Sequence, residues 1–281
     1  MSSSLTIKKA LTQAANTLVD GDSSLLDSEV LLAHVLNKAR SYFRAWPEKT
    51  LTTEELQVFQ HLIEQRRAGR PIAYLVGERE FWSRSFFVSP DVLIPRPDTE
   101  LLIDIAQLKF SPAQTFSILD LGTGSGAIAI TLALEFKNSI VTAIDASKEA
   151  LAIAQKNAHQ HSARNVNFIL SNWFEQVPHS RFDLIVSNPP YICENDPHLL
   201  EGDLRFEPSS ALIAQHEGLQ DFERIISKAH AFLNSNGIIL FEHGFQQGAA
   251  VKKLLESSGF TFTQHFQDIQ GHVRATLGTK P

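Results

Sequence analysis

The chain has 281 residues and a formal charge of −6, with 43% hydrophobic and 20% charged residues. That composition supplies a sizeable core, and an acidic balance without any Lys/Arg-rich run argues against a stable nucleic-acid footprint. One cysteine, Cys193, excludes an intramolecular disulfide and a Cys-rich metal site, and with neither a signal-peptide core nor a run of ~18 apolar residues the expected location is cytoplasmic, away from membranes.

Residues 1–75 carry helical periodicity. Ile7, Leu11, Ala14 and Leu18 are spaced i, i+4, i+7, i+11; Leu32, Val35, Leu36 and Ala39 repeat the pattern, and Leu56, Phe59 and Ile63 extend it behind an N-cap at Thr52 or Thr53. A small helical bundle is expected. The pattern breaks at Gly69-Arg70-Pro71. In the linker, 76–97, FWSRSFFVSP and DVLIPRP read as two β runs meeting at Ser89-Pro90-Asp91, a hairpin. From 98 to 281 short apolar runs alternate with helical stretches. The strand candidates are 116–121, 140–145, 166–170, 182–187, 238–242, 261–266 and 273–277, with helices over 127–136, 148–159, 219–233 and 248–257. Such alternation predicts a doubly wound, seven-stranded, Rossmann-like α/β sheet. Only a turn near Gly271 separates the final two runs, so the last strand should be antiparallel.

The run Ser117-Ile118-Leu119-Asp120-Leu121-Gly122-Thr123-Gly124-Ser125-Gly126 is a strand followed by a glycine turn and a helix start. Three glycines in five residues imply positive φ or backbone contact with a ligand. The spacing also satisfies a dinucleotide turn. Asp120 argues against that: a carboxylate leading into the loop repels a diphosphate and suits a cationic ligand, such as the sulfonium and ammonium of S-adenosylmethionine. Asp145 ends the next strand, 19 positions after Gly126, where such folds place the acceptor for ribose hydroxyls. Asn172 and Trp173 follow the third strand, placed to bracket an adenine by hydrogen bond and stacking. Trp46 and Trp82 are read as packing residues. No metal is assigned; His243, after the fifth strand at the same edge, is the histidine best placed to matter.

The fourth strand delivers Asn188-Pro189-Pro190-Tyr191 to that edge. An amide nitrogen is a poor nucleophile because its lone pair is delocalised into the carbonyl. If a substrate NH₂ gives its hydrogens to two fixed acceptors, the Asn188 side-chain oxygen and the Pro189 carbonyl, charge developing on nitrogen is stabilised in place. The two prolines stiffen the turn and remove competing N–H donors, while Tyr191 offers a flat face to a flat amide or base.

Together these residues resemble the HemK/PrmC-type protein-(glutamine-N5) methyltransferases. The resemblance runs through Gly69-Arg70-Pro71-Ile72-Ala73-Tyr74, Leu93-Ile94-Pro95-Arg96-Pro97-Asp98-Thr99-Glu100, Asp120–Gly126, Asp145, Ser187–Ile192 and Phe206-Glu207-Pro208. Asn-Pro-Pro-Tyr alone is shared with adenine-N6 methyltransferases of DNA; the IPRPDTE run is far more particular. The resemblance implies a class I methyltransferase domain at 98–281 and a class I peptide chain release factor as partner, held in part by the helical N-terminus and methylated on the glutamine of Gly-Gly-Gln. Gly122, Thr123, Gly124, Ser125 and Gly126 would line the methionine part of S-adenosyl-L-methionine. Asp145 would take its ribose and Asn172 with Trp173 its adenine. Asn188, which also borders the cofactor, would hold the glutamine with Pro189, Pro190 and Tyr191. An adenine-N6 methyltransferase on DNA or RNA is the alternative, opposed by the charge balance. A nicotinamide dehydrogenase and a non-catalytic binding module are disfavoured by Asp120 and by the intact Asn188 turn.

Overall fold

Residues 5–18, 23–178 and 180–281 are described by the computed structural model. They divide into two compact units, Met1–Glu78 with Glu201–Phe206, and Arg79–Leu200 with Glu207–Pro281.

The first unit is built from α1 (Ile7–Thr17), α2 (Ser24–Leu36), α3 (Ser41–Ala45), α4 (Thr53–Arg67) and α5 (Ile72–Val76). The periodic residues Ile7, Leu11, Ala14 and Leu18 are buried against Leu31, Leu32, Phe59 and Ile63, because a repeat near 3.6 puts them on one helix face. The second repeat runs past its helix: α2 stops at Leu36, where Asn37 adopts a left-handed φ of 49°, leaving Ala39 exposed. Thr52 caps α4. Its Oγ1 accepts from the Glu55 N–H at 3.1 Å while Glu55 Oε2 accepts from the Thr52 N–H at 2.7 Å. Thr52→Ala should therefore cost about 1 kcal/mol, read as a lower urea midpoint for loss of the helical unit. Arg66 joins the later segment to the helices, pairing with Asp27 at 2.7 Å and Asp203 at 3.2 Å.

A hairpin of β1 (Glu78–Phe81) and β2 (Arg84–Phe87) follows, all but its first residue in the second unit. This corrects the position expected from sequence. The chain reverses at Trp82 and Ser83, both at positive φ (51° and 57°), the backbone that a two-residue hairpin turn needs, without the usual Asn-Gly signal. Ser89-Pro90-Asp91 does bend, with the Val92 N–H donating to Ser89 O at 3.1 Å, but DVLIPRP forms no strand. Trp82 does pack against the core, whereas Trp46 is 59% exposed and is not a packing residue.

The remaining elements are α6 (Glu100–Lys109), β3 (Ser117–Leu121), α7 (Ala127–Glu135), β4 (Ile140–Asp145), α8 (Lys148–Gln160), β5 (Val166–Leu170), β6 (Phe182–Ser187), β7 (Ile192–Cys193), β8 (Ile213–Ala214), the single turn α9 (Gln215–Gly218), α10 (Gln220–Phe232), β9 (Leu233–Glu242), α11 (Gly248–Ser257), β10 (Thr261–Gln267) and β11 (Val273–Thr279). Seven strands form one sheet in the order β10-β11-β9-β6-β3-β4-β5, with β11 antiparallel to both neighbours. Both faces are covered. Ile118, Val186 and Leu240 join α6 and α7 in one apolar cluster, while Leu119, Ile185, Ile239 and Phe241 join α10 and α11 in the other. Among the described residues no helix is long and apolar enough to cross a membrane.

Candidate active site

The strand order reverses beside β3, which has β4 on one side and β6 on the other. Open α/β sheets take their ligands at the carboxyl ends of the strands around such a point. Here β3 ends in the glycine turn, β4 in Asp145, β6 in Asn188 and β9 in Glu242. Ser187 Oγ donates to Leu121 O at 2.7 Å, so the strands that launch the glycine turn and the Asn-Pro-Pro-Tyr turn are tied at their ends.

A cavity of about 290 Å³ lies at this edge, lined by Gly122, Gly124, Asp145, Trp173, Asn188 and Pro190 among others. The turn is held open by backbone bonds, with the Gly122 and Thr123 N–H groups donating to Ile144 O at 3.0 and 2.8 Å. Gly124 has φ +55°, and a Cβ placed there would meet no protein atom within 4 Å. A turn that exposes a bare backbone to a cavity is a cradle for a ligand that touches main chain. Asp145 Oδ2 accepts from the Gly124 N–H at 2.8 Å and Oδ1 from the Ser147 N–H at 2.9 Å. Burial pushes its pKa up against the pull of these N–H groups, and lone pairs remain for hydroxyls of a ligand. The donor set fits S-adenosylmethionine: two glycines on the cavity wall, a carboxylate with spare acceptor sites, and an indole.

Trp173 has φ +49°, and its ring lies 3.6 Å from where a Cβ on Gly122 would stand. Its side chain pulls against the burial that raises the pKa of Asp221, a buried residue of α10 that pairs with Arg224 at 3.4 Å. Asp221 and Arg224 line the cavity and were not read from sequence. An acid and a base at i, i+3 near a helix start look like ordinary surface stabilisation, and only the tertiary fold aims them at Trp173. The segment Asp91–Leu93 also lines the cavity.

Several expected site residues stand elsewhere. Asp120 is fully buried and does not line the cavity; its Oδ2 accepts from Thr123 Oγ1 at 2.6 Å, and Oδ1 has no partner among the described residues. Burial pushes its pKa up to about 7, so the argument that its charge would repel a diphosphate weakens, and its visible role is to brace the turn from behind. The side chains of Thr123 and Ser125 are buried beneath the turn, as is Gly126. Asn172 is exposed, with Nδ2 donating to Glu175 at 3.0 Å, yet it borders the cavity. Asn188 and Pro190 line the cavity; Pro189 is buried. Tyr191 packs its ring against the core and donates its hydroxyl to Glu242 Oε1 at 3.4 Å, so it does not present a free face to the cavity.

His243 is fully buried, bonded to Gly244 O at 2.9 Å and Thr276 Oγ1 at 2.7 Å, and lies outside the cavity lining. Burial lowers its pKa from 6.5 to about 4. The sign is that of a buried neutral imidazole: its stabilisation is complete above pH 6.5 and is lost as pH falls toward 4. By pH ~5 the loss should reach about 2 kcal/mol in urea unfolding, and His243→Gln should flatten that part of the profile.

A further pair of contacts anchors the strap that precedes α6. Glu207, whose side chain is buried, accepts from the Ile94 N–H at 3.3 Å and pairs with Arg96, which joins IPRPDTE to the segment after the Asn-Pro-Pro-Tyr turn.

The sheet order, its antiparallel strand and a glycine turn at the switch point define a class I methyltransferase. Comparison with known proteins agrees: residues 9–77 match the PrmC N-terminal domain, and residues 113–271 match a methyltransferase domain. The release factor glutamine methyltransferase of Salmonella typhimurium strain LT2 is 47% identical over 268 residues, covering 95% of this chain and 96% of that protein. That of Vibrio cholerae El Tor is 48% identical over 278 residues, covering 98% and 97%. A methyltransferase from Pyrococcus furiosus shares the fold at a TM-score of 0.54 with 18% identity, over 79% of this chain and 97% of that one. The chain belongs to the release factor glutamine methyltransferases.

Proposed function

We propose that this protein transfers the methyl group of S-adenosyl-L-methionine to the side-chain amide nitrogen, N5, of the glutamine in the Gly-Gly-Gln motif of a class I peptide chain release factor, in support of translation termination. The observation that carries the reading is that Asn188, an amide acceptor, lines the same cavity as the bare turn at Gly122 and Gly124 and the carboxylate of Asp145. Bound in this cavity, S-adenosyl-L-methionine supplies a methyl group on a positively charged sulfur and is left as S-adenosyl-L-homocysteine. Gly122 and Gly124 receive its methionine part, Asp145 its ribose hydroxyls, and Trp173 with Asn172 its adenine.

On the substrate side, Asn188 Oδ1 and the Pro189 carbonyl each accept one hydrogen of the glutamine NH₂. The charge that develops on nitrogen is then met by acceptors already in place, and the paired prolines keep them from reorganising. Pro190 closes the wall beside the amide, and Tyr191 braces the turn through Glu242. The helical unit is the proposed holder of the release factor, and the cytoplasm, where a lone free Cys193 is at home, the proposed location.

The test is incubation with methyl-labelled S-adenosyl-L-methionine and a release factor, the same factor with its Gly-Gly-Gln glutamine changed to alanine, or DNA. Label should enter only the intact factor. Equal labelling of both factors would overturn the reading, and label on DNA alone would favour the adenine-N6 alternative, which uses the same chemistry of the Asn-Pro-Pro-Tyr turn.

A further inference from the structure

An acceptor role for Asn188 requires its amide to be the right way round, and buried groups behind the turn bear on that. Asn188 Nδ2 donates to Thr99 Oγ1 at 3.3 Å. Thr99, only 5% exposed, pulls against the burial that raises the pKa of the Glu242 carboxyl, and Glu242 Oε1 receives the Tyr191 hydroxyl at 3.4 Å. Glu242 ends β9, is 3% exposed, and among the described residues its Oε2 has no hydrogen-bond partner. Three separate parts of the chain thus meet behind Asn188: the turn before α6, the end of β9 and the turn after β6.

We propose that Thr99 and Glu242 are positioning residues that lock the Asn188 amide with Oδ1 toward the glutamine to be methylated, an inference that rests on the function proposed above. The reason is the count of hydrogens. A hydroxyl has one, and an ionised carboxylate can only accept. In this arrangement Thr99 turns its hydrogen toward the buried Glu242 carboxylate, whose Oε2 has no other partner among the described residues, and a lone pair toward Asn188, which must answer with Nδ2. Oδ1 is left for the cavity that Asn188 lines. When Glu242 is protonated the order can reverse: the carboxylic acid donates to Thr99, and Thr99 donates to Asn188. The amide then presents its NH₂ to the substrate NH₂, donor against donor, and the acceptor is lost.

Titration of Glu242 falls where this matters. Burial pushes its pKa up to about 7, with Asp98 adding to the rise while Thr99, Arg274 and Tyr191 oppose it. Asp98 and Arg274 are themselves paired at 3.5 Å. Tyr191 stays a neutral phenol, its own pKa raised by burial and by Glu242, and the next residue along the chain, His243, is held neutral by burial.

The experiment compares wild type, Thr99→Val, Thr99→Ser and Glu242→Gln, measuring kcat, KM for the release factor, S-adenosyl-L-methionine affinity by calorimetry, thermal midpoint, and the pH dependence of kcat. Thr99→Val should lower kcat ~10- to 100-fold, the equivalent of one lost strong hydrogen bond, with cofactor affinity changed less than ~2-fold. Thr99→Ser should restore most of the rate. Wild-type kcat should fall on the acid side of neutrality, and Glu242→Gln should show a low rate without that acid limb. Wild-type kcat in Thr99→Val, a serine variant as slow as the valine variant at an equal thermal midpoint, or an acid limb that persists in Glu242→Gln would each overturn the relay. If Glu242→Gln does not fold, the two Thr99 variants decide alone. Failure of wild type to label the release factor glutamine would instead be failure of the proposed function, visible before any variant is measured.

Discussion

Asn188→Ala should lower methyl transfer by about 10²–10⁴-fold while leaving S-adenosyl-L-methionine affinity within a few-fold of wild type. The side-chain oxygen is one of two acceptors proposed for the substrate NH₂, and a charge-assisted hydrogen bond of ~1.5–3 kcal/mol accounts for ~10- to 100-fold of the loss. The rest comes from orientation, since an amide held by one acceptor alone swings away from the line of attack, and alignment in such reactions can supply ~7–11 kcal/mol in all. Cofactor affinity is largely spared because the proposed cofactor contacts, Gly122, Gly124, Asp145 and Trp173, also line the cavity and are untouched by the substitution. Single-turnover rates and calorimetry on the same preparation separate the two. Loss of cofactor binding to the same degree as loss of rate would mean that Asn188 belongs to the cofactor and not to the glutamine.

Two alanines placed two residues apart in the glycine turn should fail in opposite ways. Gly126 has φ +82°, and a methyl there would stand 2.7 Å from Ile130 Cδ1, 3.1 Å from Ala154 Cβ and 3.3 Å from Ala154 Cα. The left-handed backbone costs ~1–2 kcal/mol and the overlap ~1–3 kcal/mol more, so Gly126→Ala should lose roughly 2–5 kcal/mol of stability. Ile130 can move its terminal carbon, but the Ala154 backbone of α8 cannot yield without shifting a helix. Gly124→Ala carries only the backbone strain, because no protein atom lies within 4 Å of the new methyl. Its defect should appear in S-adenosyl-L-methionine affinity, weakened at least ~10-fold as the methyl takes up space proposed for the ligand. Thermal midpoints and calorimetry check both. Normal cofactor affinity in Gly124→Ala would remove the turn from the binding site.

Much of the fold was legible because the sheet of the second unit is covered on both faces. Central strands buried on two sides read as apolar runs, and the helices between them keep their periodicity, so Ile140–Asp145, Phe182–Ser187 and Gly248–Ser257 stand at the bounds expected from sequence, as does the edge strand Val166–Leu170, although none of its residues is buried. The hairpin was misplaced because its turn uses Trp82 and Ser83 at positive φ, positions whose residue types carry no turn signal. Segment Glu201–Phe206 belongs to the helical unit through contacts such as Arg66 with Asp203, and no local pattern announces a pairing across that distance in the chain.

The site divides in the same way. Glycines spaced through a strand-to-helix turn and a proline pair after a strand are local constraints on backbone geometry, so Gly122, Gly124, Asp145 and Asn188 could be named from the chain alone, and each lines the cavity. Whether a side chain faces the cavity or the core is a property of neighbours. That is why Asp120 proved to brace the turn from behind, Tyr191 to reach Glu242, and His243 to be structural. Sequence by itself determined the order of the elements, the backbone turns at the strand ends and the presence of an amide, Asn188, after the fourth strand, because these follow from short-range sterics and residue type. Tertiary structure alone decided what stands behind that amide. Thr99 and Glu242 are far apart in the chain, and only the packing of the strand ends brings Thr99 within hydrogen-bond reach of Asn188 and Glu242 within reach of Tyr191.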